Sequence, residues 1–571
     1  MAWTSAGLRW LDRRVARRAP LLGTPAPPLE GGQGVLPFSV PRDHASPIAS
    51  SSGPFLAPQV PPDVPWFRLD PAQVGPLERQ AHRHGWLASL CWCGTAGDVA
   101  ARDRALAGLD AWLDGDRPGH GVGWVHTTDL TARLCHWVVS LALLGSCAGP
   151  GLRARLAGSA ALHLEHLEAR LSPAGSGDPR RALQLVGLAV GGLGWPALPG
   201  AAAGVGRALS ALPEALGSLL HDDGGPRDGG LDLLPELLTH GLLLAALGDA
   251  NRAPLPVAAQ RRLRGAAHLL GHLLGHDGRL PGASHALIEP LLPLDQGPPE
   301  AAVHRACVAR GWSVGPGLAG AGQLARVLVG SSVAQREAGV DPGGARALVA
   351  FRASGLVLGS APVCGQPSRL IFMLHAGGGR PGDAPSACSL LWSLGGLPVL
   401  TSPHPAHRAV GLGGNVAHLI PARPAVHTEL LRARLSEREL CIRARAEGGG
   451  QGVHHREVTL RGQRLVVEDR FEPPRGGLIP AARAPRVRVG WQLGPAWDLA
   501  WDGGDLVGEA QGVQLRVQLD PGLTWSLIRG GGAPGGGWAV GPAGEPVPAL
   551  LLHGEGPLLD QAAIRCSFSL S

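Results

Sequence analysis

From about residue 75 to 340 the apolar positions recur at helical spacing: Ala160, Leu164, Leu167 and Leu171 form one stripe, and Leu269, Leu270, Leu273 and Leu274 another. Breaks rich in Gly, Pro and Asp, such as DGDRPGHG, SPAGSGDP, HDDGGPRDGG and HDGRLPG, fall between them at intervals suited to helical hairpins. The pattern predicts an array of antiparallel helix pairs. No clean repeat is visible, which favours an irregular or closed array over a strict solenoid. After about residue 345 the period changes to two. Val513, Leu515, Val517 and Leu519 alternate with polar partners, and VTLRGQRLVVEDRF reads as two short strands around an Arg-Gly-Gln turn. LVLGS at 356, RLIFMLH at 369, SLLWSLGGLPVLTS at 389 and RARLSERELCIRARA at 432 are further strands, and many short strands with Gly-rich turns point to an antiparallel sandwich. The fold class expected is therefore α+β and multidomain, a helical-hairpin array over residues 61–340 followed by an antiparallel β-sandwich over 341–571. The DPGG at Asp341 to Gly344 suits the boundary.

Ahead of the first stripe, residues 1–60 are rich in Pro, Gly and Ser and read as a poorly ordered leader. Arg9, Arg13, Arg14, Arg17 and Arg18 are not followed by an apolar segment of signal-peptide length, so no secretory signal is expected. No stretch of roughly 18 uninterrupted apolar residues occurs, and no membrane span is expected.

Composition removes several chemistries. The chain of 571 residues has no Lys, so all 51 basic residues are Arg, and it has no Tyr. A P-loop needs a phosphate-reaching Lys and a pyridoxal enzyme a Schiff-base Lys, so neither fits. A phenol as proton donor is equally closed. The formal charge of +6 suits an anionic partner. With 17% charged residues and few Arg interleaved with aromatics, no patch of the nucleic-acid-binding kind is present. The nine Cys are irregularly spaced without a C-x-x-C pair and read as small buried hydrophobes. Cys91 and Cys93 should diverge on a helix.

Local motifs are weak. His163 and His166 flank Glu165, but H-L-E-H is not H-E-x-x-H, and the reading is a solvated helix face in place of a metal site. His404 and His407 lie in SPHPAHR, a surface turn. EGGGQG and RGGGAPGGGW have no following helix with phosphate-binding spacing, and G-x-S-x-G does not occur. No cofactor or metal is implied.

Several segments in order are similar to one family. HRHGWLASLCWCG, WLDGD and GVGWVHTTDLTARLCHWVVSLALL resemble the helical entry region of heparinase II/III-type polysaccharide lyases, with Trp124, Arg133 and Trp137 at the family's landmarks. SLLHDDGGPRDGG resembles its DGG segment and HLLGHDGRLPG its later helix turn. GDAPSACSLLWSLGGLPVLTSP and HHREVTLRGQRLVVEDRF are similar to its strand after the active-site loop and its late hairpin. Together they cover roughly residues 75–475. The resemblance implies an α/α toroid, a β-sandwich and a polysaccharide cleft between them.

It also implies β-elimination on a uronic acid, in which a base takes the proton α to the carboxylate, a second group neutralises that carboxylate and an acid protonates the leaving oxygen. The family's Asn-His pair falls on Pro179 and Arg180, its His-containing loop on Gly382, Ala384 and Ser386, and its later His-Asn pair on Gly414 and Asn415. Of these, Arg180 can still neutralise a carboxylate and Asn415 keeps the family's residue. His240 and His375 are then the candidate catalytic groups, and Arg180, Arg408 and Asn415 the candidate substrate-binding ones. Each has an ordinary structural reading beside the functional one. Two function classes follow: a lyase acting on an acidic polysaccharide, and a non-catalytic glycan-binding or exopolysaccharide-assembly protein on the same fold. A hydrolase or structural protein with a similar pattern stands behind both. The 16 Trp favour sugar stacking only slightly, since most Trp fill cores. The family's lyases act outside the cytoplasm, whereas this leader reads as cytoplasmic.

Overall fold

The structure is a computed structural model that describes residues 82–95, 97–115, 124, 126–175, 178, 180–227, 231, 233–275, 278–280, 299–313, 346–374, 388–401, 415–420, 427–447, 452–472, 486–531, 536–540, 546–557 and 563–571. The expected leader and the DPGG boundary lie outside them. The first half is helical and the second is built of antiparallel sheets. The described helices are α1 (Gly85–Thr95), α2 (Val99–Gly115), α3 (Thr127–Leu144), α4 (Pro150–Ala169), α5 (Arg180–Gly194), α6 (Ala201–Leu219), α7 (Leu233–Ala250), α8 (Val257–Leu273) and α9 (Pro299–Ala309).

These helices form two layers. α1, α3, α5, α7 and α9 pack side by side as an inner layer, while α2, α4, α6 and α8 cover it. The division follows composition. α3, α5 and α7 are buried on almost every side, so their sequences are apolar all round. α8 is amphipathic: Leu263, Ala266, Ala267 and Leu270 are buried while Arg261 and Arg264 are exposed. Two helices are long and apolar enough to cross a membrane, over Thr127–Cys147 and Leu233–Ala250, yet 72% and 78% of those windows are buried inside the protein. They are core helices by that measure. α5 comes closest to its neighbours because it carries glycines at its contacts. A Cβ would meet Thr131 Oγ1 at 2.5 Å from Gly187, Val205 Cγ2 at 2.5 Å from Gly192 and Val138 Cγ2 at 2.5 Å from Gly194. Each glycine costs about 1 kcal/mol of helix propensity relative to Ala, which close packing must offset.

Among the described residues, four sheets make up the β half. β1 (Ala347–Phe351), β2 (Leu356–Val363), β3 (Gln366–Met373), β4 (Ser389–Leu394) and β5 (Leu397–Leu400) form a five-stranded meander. An eight-stranded sheet runs β12-β13-β14-β19-β10-β9-β8-β7, and a four-stranded one β15-β18-β11-β6. These are β6 (Val416–Ile420), β7 (His427–Leu435), β8 (Glu439–Glu447), β9 (Val453–Arg461), β10 (Arg464–Glu472), β11 (Arg486–Gln492), β12 (Leu499–Asp502), β13 (Asp505–Ala510), β14 (Val513–Gln518), β15 (Thr524–Arg529), β18 (Leu550–Pro557) and β19 (Ile564–Leu570). β16 (Trp538–Val540) and β17 (Pro546–Pro548) pair separately. The expected Arg-Gly-Gln hairpin is β9–β10, with Arg461 opposite Arg464 and Gly462 at φ 56°, the sign its turn position requires. Trp491 of β11 meets Phe568 of β19 edge-on at 5.3 Å, which joins the four- and eight-stranded sheets in one core. The five-stranded sheet is buried on both faces. Phe351, Leu356, Leu358, Ile371 and Leu391 enter the helical core, and Val357, Leu370, Phe372, Leu390 and Trp392 the core of the β half.

One buried ion pair ties these sheets together. Arg456 on β9 donates from Nε to Asp469 Oδ1 at 2.7 Å and from an Nη to Oδ2 at 2.8 Å, with both residues almost wholly buried. Its other Nη donates to the carbonyl of Cys388 at 2.8 Å, just before β4, and of Asn415 at 2.6 Å, just before β6. The guanidinium also lies 5.2 Å from the Trp491 ring. Burial pushes the Asp469 carboxyl up, but the Arg456 charge and hydrogen bonds outweigh it and hold the group at about 2. A depressed carboxyl stabilises the fold above its unfolded range near 3.9, and the contribution is lost as pH falls towards 2. Arg456→Met should destabilise the protein by about 3–5 kcal/mol, because it takes the bidentate partner from a buried carboxylate and leaves it His454 Nε2 at 2.7 Å. The apolar double variant Arg456→Met with Asp469→Leu should recover part of that loss. Denaturant unfolding measures both, and a single-variant loss under ~1 kcal/mol would contradict the assignment.

Candidate functional site

Three inner helices run in the same direction. Gln184 Nε2 donates to Thr127 Oγ1 at 3.0 Å, and Thr131 Oγ1 donates to the Leu183 carbonyl at 3.1 Å, so the first turns of α3 and α5 lie side by side. Arg83 reaches Asp129 in the first turn of α3 at 3.7 Å and also pairs with Glu236 in the first turn of α7. The N-terminal ends of α3, α5 and α7 therefore gather at one mouth of the helical layer. Aligned N-termini carry partial positive charge there and favour anions.

Side chains add to that charge. Arg180 opens α5 and is exposed; its Nε and an Nη each donate to a different oxygen of Asp178 at 3.0 Å. Asp178 also accepts from the Arg180 backbone N at 3.0 Å and from Ser172 Oγ at 2.7 Å, so it caps the helix. Burial raises the Asp178 carboxyl, but the Arg180 and Ser172 hydrogen bonds more than reverse this and leave it lowered. Arg170, at the end of α4, is half-buried and donates to the Trp124 carbonyl at 3.1 Å. Burial, with the charge of Arg180 second, lowers its guanidinium to about 10. Arg181 donates to the Ser172 carbonyl, and His126 stands exposed at the N-cap of α3. Arg180, exposed beside its Asp178 partner, is the group there that can meet a carboxylate or sulfate.

Beneath the mouth, His240 lies on α7 one turn after Glu236 and is 2% exposed. Burial, then the Arg83 charge, pushes its imidazole down to about 3. His136 of α3 is lowered by burial, then by His240 and Arg83, so these three groups share one enclosed cluster. His240 is thus a neutral, enclosed imidazole, away from the surface where Arg180 stands.

Asn415 is fully buried at φ 53°. Its amide donates to the Leu390 carbonyl at 2.7 Å and the Thr401 carbonyl at 2.9 Å, and its Oδ1 accepts from the Gln492 N at 2.6 Å. The side chain joins β4, the end of β5 and β11, and it belongs to the same tie as Arg456. His375 and Arg408 lie outside the described residues, as do Gly382, Ala384, Ser386 and Gly414. The family landmarks also take their places in the core. Arg133 donates to the His82 carbonyl at 2.6 Å and to His163 Nε2 at 2.7 Å, while His163 Nδ1 donates to the Ser159 carbonyl at 2.8 Å. His163 packs 4.3 Å from Trp124 and 4.8 Å from Trp137. The expectation of a solvated face for His163 and His166 is therefore corrected, because both are buried against Trp124. Cys147 is exposed, in contrast to the six buried cysteines. Among the described residues, no group of three or more His, Cys, Asp or Glu could hold a metal ion.

Arg170, Asp178, Arg83 and Glu236 were not legible as site residues. The sequence Asp178-Pro179-Arg180 carries a helix-start signal, an Asp followed by a Pro, directly before Arg180. Nothing in the sequence links Arg83 to Glu236.

No family model matches the chain, and no curated protein sequence matches it. Its likeness to solved structures is extensive. Heparinase III superposes with a TM-score of 0.63 at 13% identity, covering 88% of this chain and 78% of that one. A second heparinase III gene product gives 0.58 at 12% identity over 99% and 90%. The heparan sulfate lyase HepC of Pedobacter heparinus gives 0.53 at 13% identity over 99% and 88%. The chain shares the fold of these polysaccharide lyases.

Proposed function

We propose that this chain is a polysaccharide lyase-like protein that takes a uronic-acid-containing polysaccharide at the mouth where α3, α5 and α7 begin. The helical layers are read as an α/α toroid over residues 61–340, and the β half, 341–571, as a sandwich beside that mouth. The observation that carries the proposal is the exposed guanidinium of Arg180 at the start of α5, where the first turns of α3 and α5 lie side by side. An exposed guanidinium with aligned amide dipoles suits a sugar carboxylate or sulfate, and the net charge of +6 has the sign to attract one. No cofactor enters this chemistry.

In the elimination reading, Arg180 with Arg170 neutralises the carboxylate and so makes the adjacent proton acidic. His375 is the candidate base, and Arg408 a further carboxylate partner. His240 stands behind Arg83 and Glu236, and its candidate part is to position them. Asn415 supports the site by holding β4 against β6. A second reading, a glycan-binding protein without turnover, is favoured by specific observations. The family's Asn-His position is Pro179 and Arg180, the chain has no Tyr, and His240 is enclosed.

Binding tests the proposal itself. The protein should prefer acidic over neutral polysaccharide, the preference should weaken with salt, and Arg170→Ala or Arg180→Ala should each weaken binding about tenfold, as for one charge-assisted hydrogen bond. Equal affinity for neutral and acidic chains would overturn it.

Turnover separates the readings. Elimination yields an unsaturated uronate that absorbs in the ultraviolet. In the lyase reading His375→Ala loses roughly 100-fold or more of that signal, on the scale of a general base. His240→Ala should lower the rate less. A wild type that makes no product on a broad uronate panel, while keeping salt-sensitive binding, decides for the binding protein.

A further inference from the structure

The junction between helices and sheets is built on one stripe of α8. Gly265, His268, Leu269 and His272 recur at helical spacing along it. At one end, the backbone of Gly224 lies so close to Gly265 that a Cβ on Gly224 would fall 2.0 Å from the Gly265 carbonyl carbon. Beside it Asp223 grips the β1–β2 turn, accepting from the Ser354 backbone N at 3.0 Å and from the Ser354 hydroxyl. Further along, the rings of His268 and His272 stand edge-on at 4.6 Å, and both face Phe351 of β1, at 6.0 and 5.8 Å. His304 of α9 packs against the same helix, for a Cβ on Gly271 would sit 2.3 Å from its Nε2.

The charged groups around this stripe are mostly cationic. Arg369 of β3 and His268 act on His272, while His272, Arg305 and His268 act on His304. Arg352 lies exposed in the β1–β2 turn, and Arg261 and Arg264 are exposed on α8 itself. Arg262 pairs with Asp222. The carboxylates facing the junction among the described residues are Asp223, engaged by Ser354, and Glu300, one turn before His304 on α9.

We propose that this histidine stripe makes the junction acid-sensitive: protonation of His268, His272 and His304 gathers like charge beside Arg305 and Arg369 and releases the β1–β2 hairpin from α8. Burial is the first cause that lowers all three imidazoles, with neighbouring cations adding to it for His272 and His304, both of which stand near 4. When the junction opens and water reaches the rings, they return towards 6.5. The opened form therefore binds more protons between about pH 4 and 6.5, so docking is complete above that window and weakens as pH falls through it. The release is local, because Ile371 of β3 and Leu391 of β4 stay in the helical core.

Hydrogen exchange of the full chain at pH 7.5 and pH 5.0, corrected for intrinsic exchange, tests this. Peptides over 221–227 and 349–358 should lose protection about tenfold at the lower pH, while β9, β10 and far-ultraviolet circular dichroism stay unchanged. The double variant His268→Phe with His272→Phe keeps ring packing without two of the three protons and should cut the response at least threefold. If it does not fold, His272→Gln should at least halve the response. A wild type with no junction-specific change overturns the proposal, as does a response retained at full size in a folded variant.

Discussion

The guanidinium of Arg456 has to be paid for: a charge with no exposure to water is tolerated only if its nitrogens find acceptors. It does so by drawing on β10, the residue before β4 and the residue before β6, which otherwise belong to three different sheets. The five-, eight- and four-stranded sheets therefore meet at this guanidinium, with Asn415 extending the same tie to Gln492. Apolar packing between Trp491, Phe568 and their neighbours supplies the bulk of the burial energy, since each large apolar side chain contributes about 1.5–3 kcal/mol. Such packing tolerates sliding more readily than a bidentate ion pair does. The polar tie is what makes one relative placement of the sheets the best one.

The helical half solves a related problem by different means. Its inner helices are apolar on all sides, and their direction is fixed where polar groups meet at the first turns: Gln184 with Thr127, and Arg83 with Asp129 and Glu236. These contacts also collect the helix N-termini at one mouth, so the groups that align the helices sit immediately behind the arginines that face outward. Architecture and electrostatics at the mouth share one set of residues.

Much of this was legible in the sequence because period carries it. The 3.6-residue stripes around Leu164 and Leu270 and the alternation of Val513, Leu515 and Val517 assigned the helical and β halves, and the Arg-Gly-Gln turn located β9 and β10. Polar residues in the interior broke that reading. His163 and His166 looked like a solvated face because nothing local reveals that Arg133, 30 positions away, needs an acceptor for its guanidinium. Arg456 and Asp469 sit in strands whose other charges point outward, so the alternation hides which pair is turned in. The same limit applied to the mouth. Arg180 was reached through the resemblance, at the family's Asn-His position, whereas Arg83 and Glu236 are 153 positions apart and meet only in the folded chain.

The five-stranded sheet gives one face to the helical core and the other to the β half. A chain cut on either side of it would leave Leu356, Leu358 and Ile371, or Val357, Leu370 and Phe372, against water. Such an apolar face is an aggregation surface. During synthesis the helices emerge first, but their core is incomplete until β1 to β4 have followed. The two halves are thus separate in secondary structure yet not in folding, and neither should persist as an isolated soluble fragment.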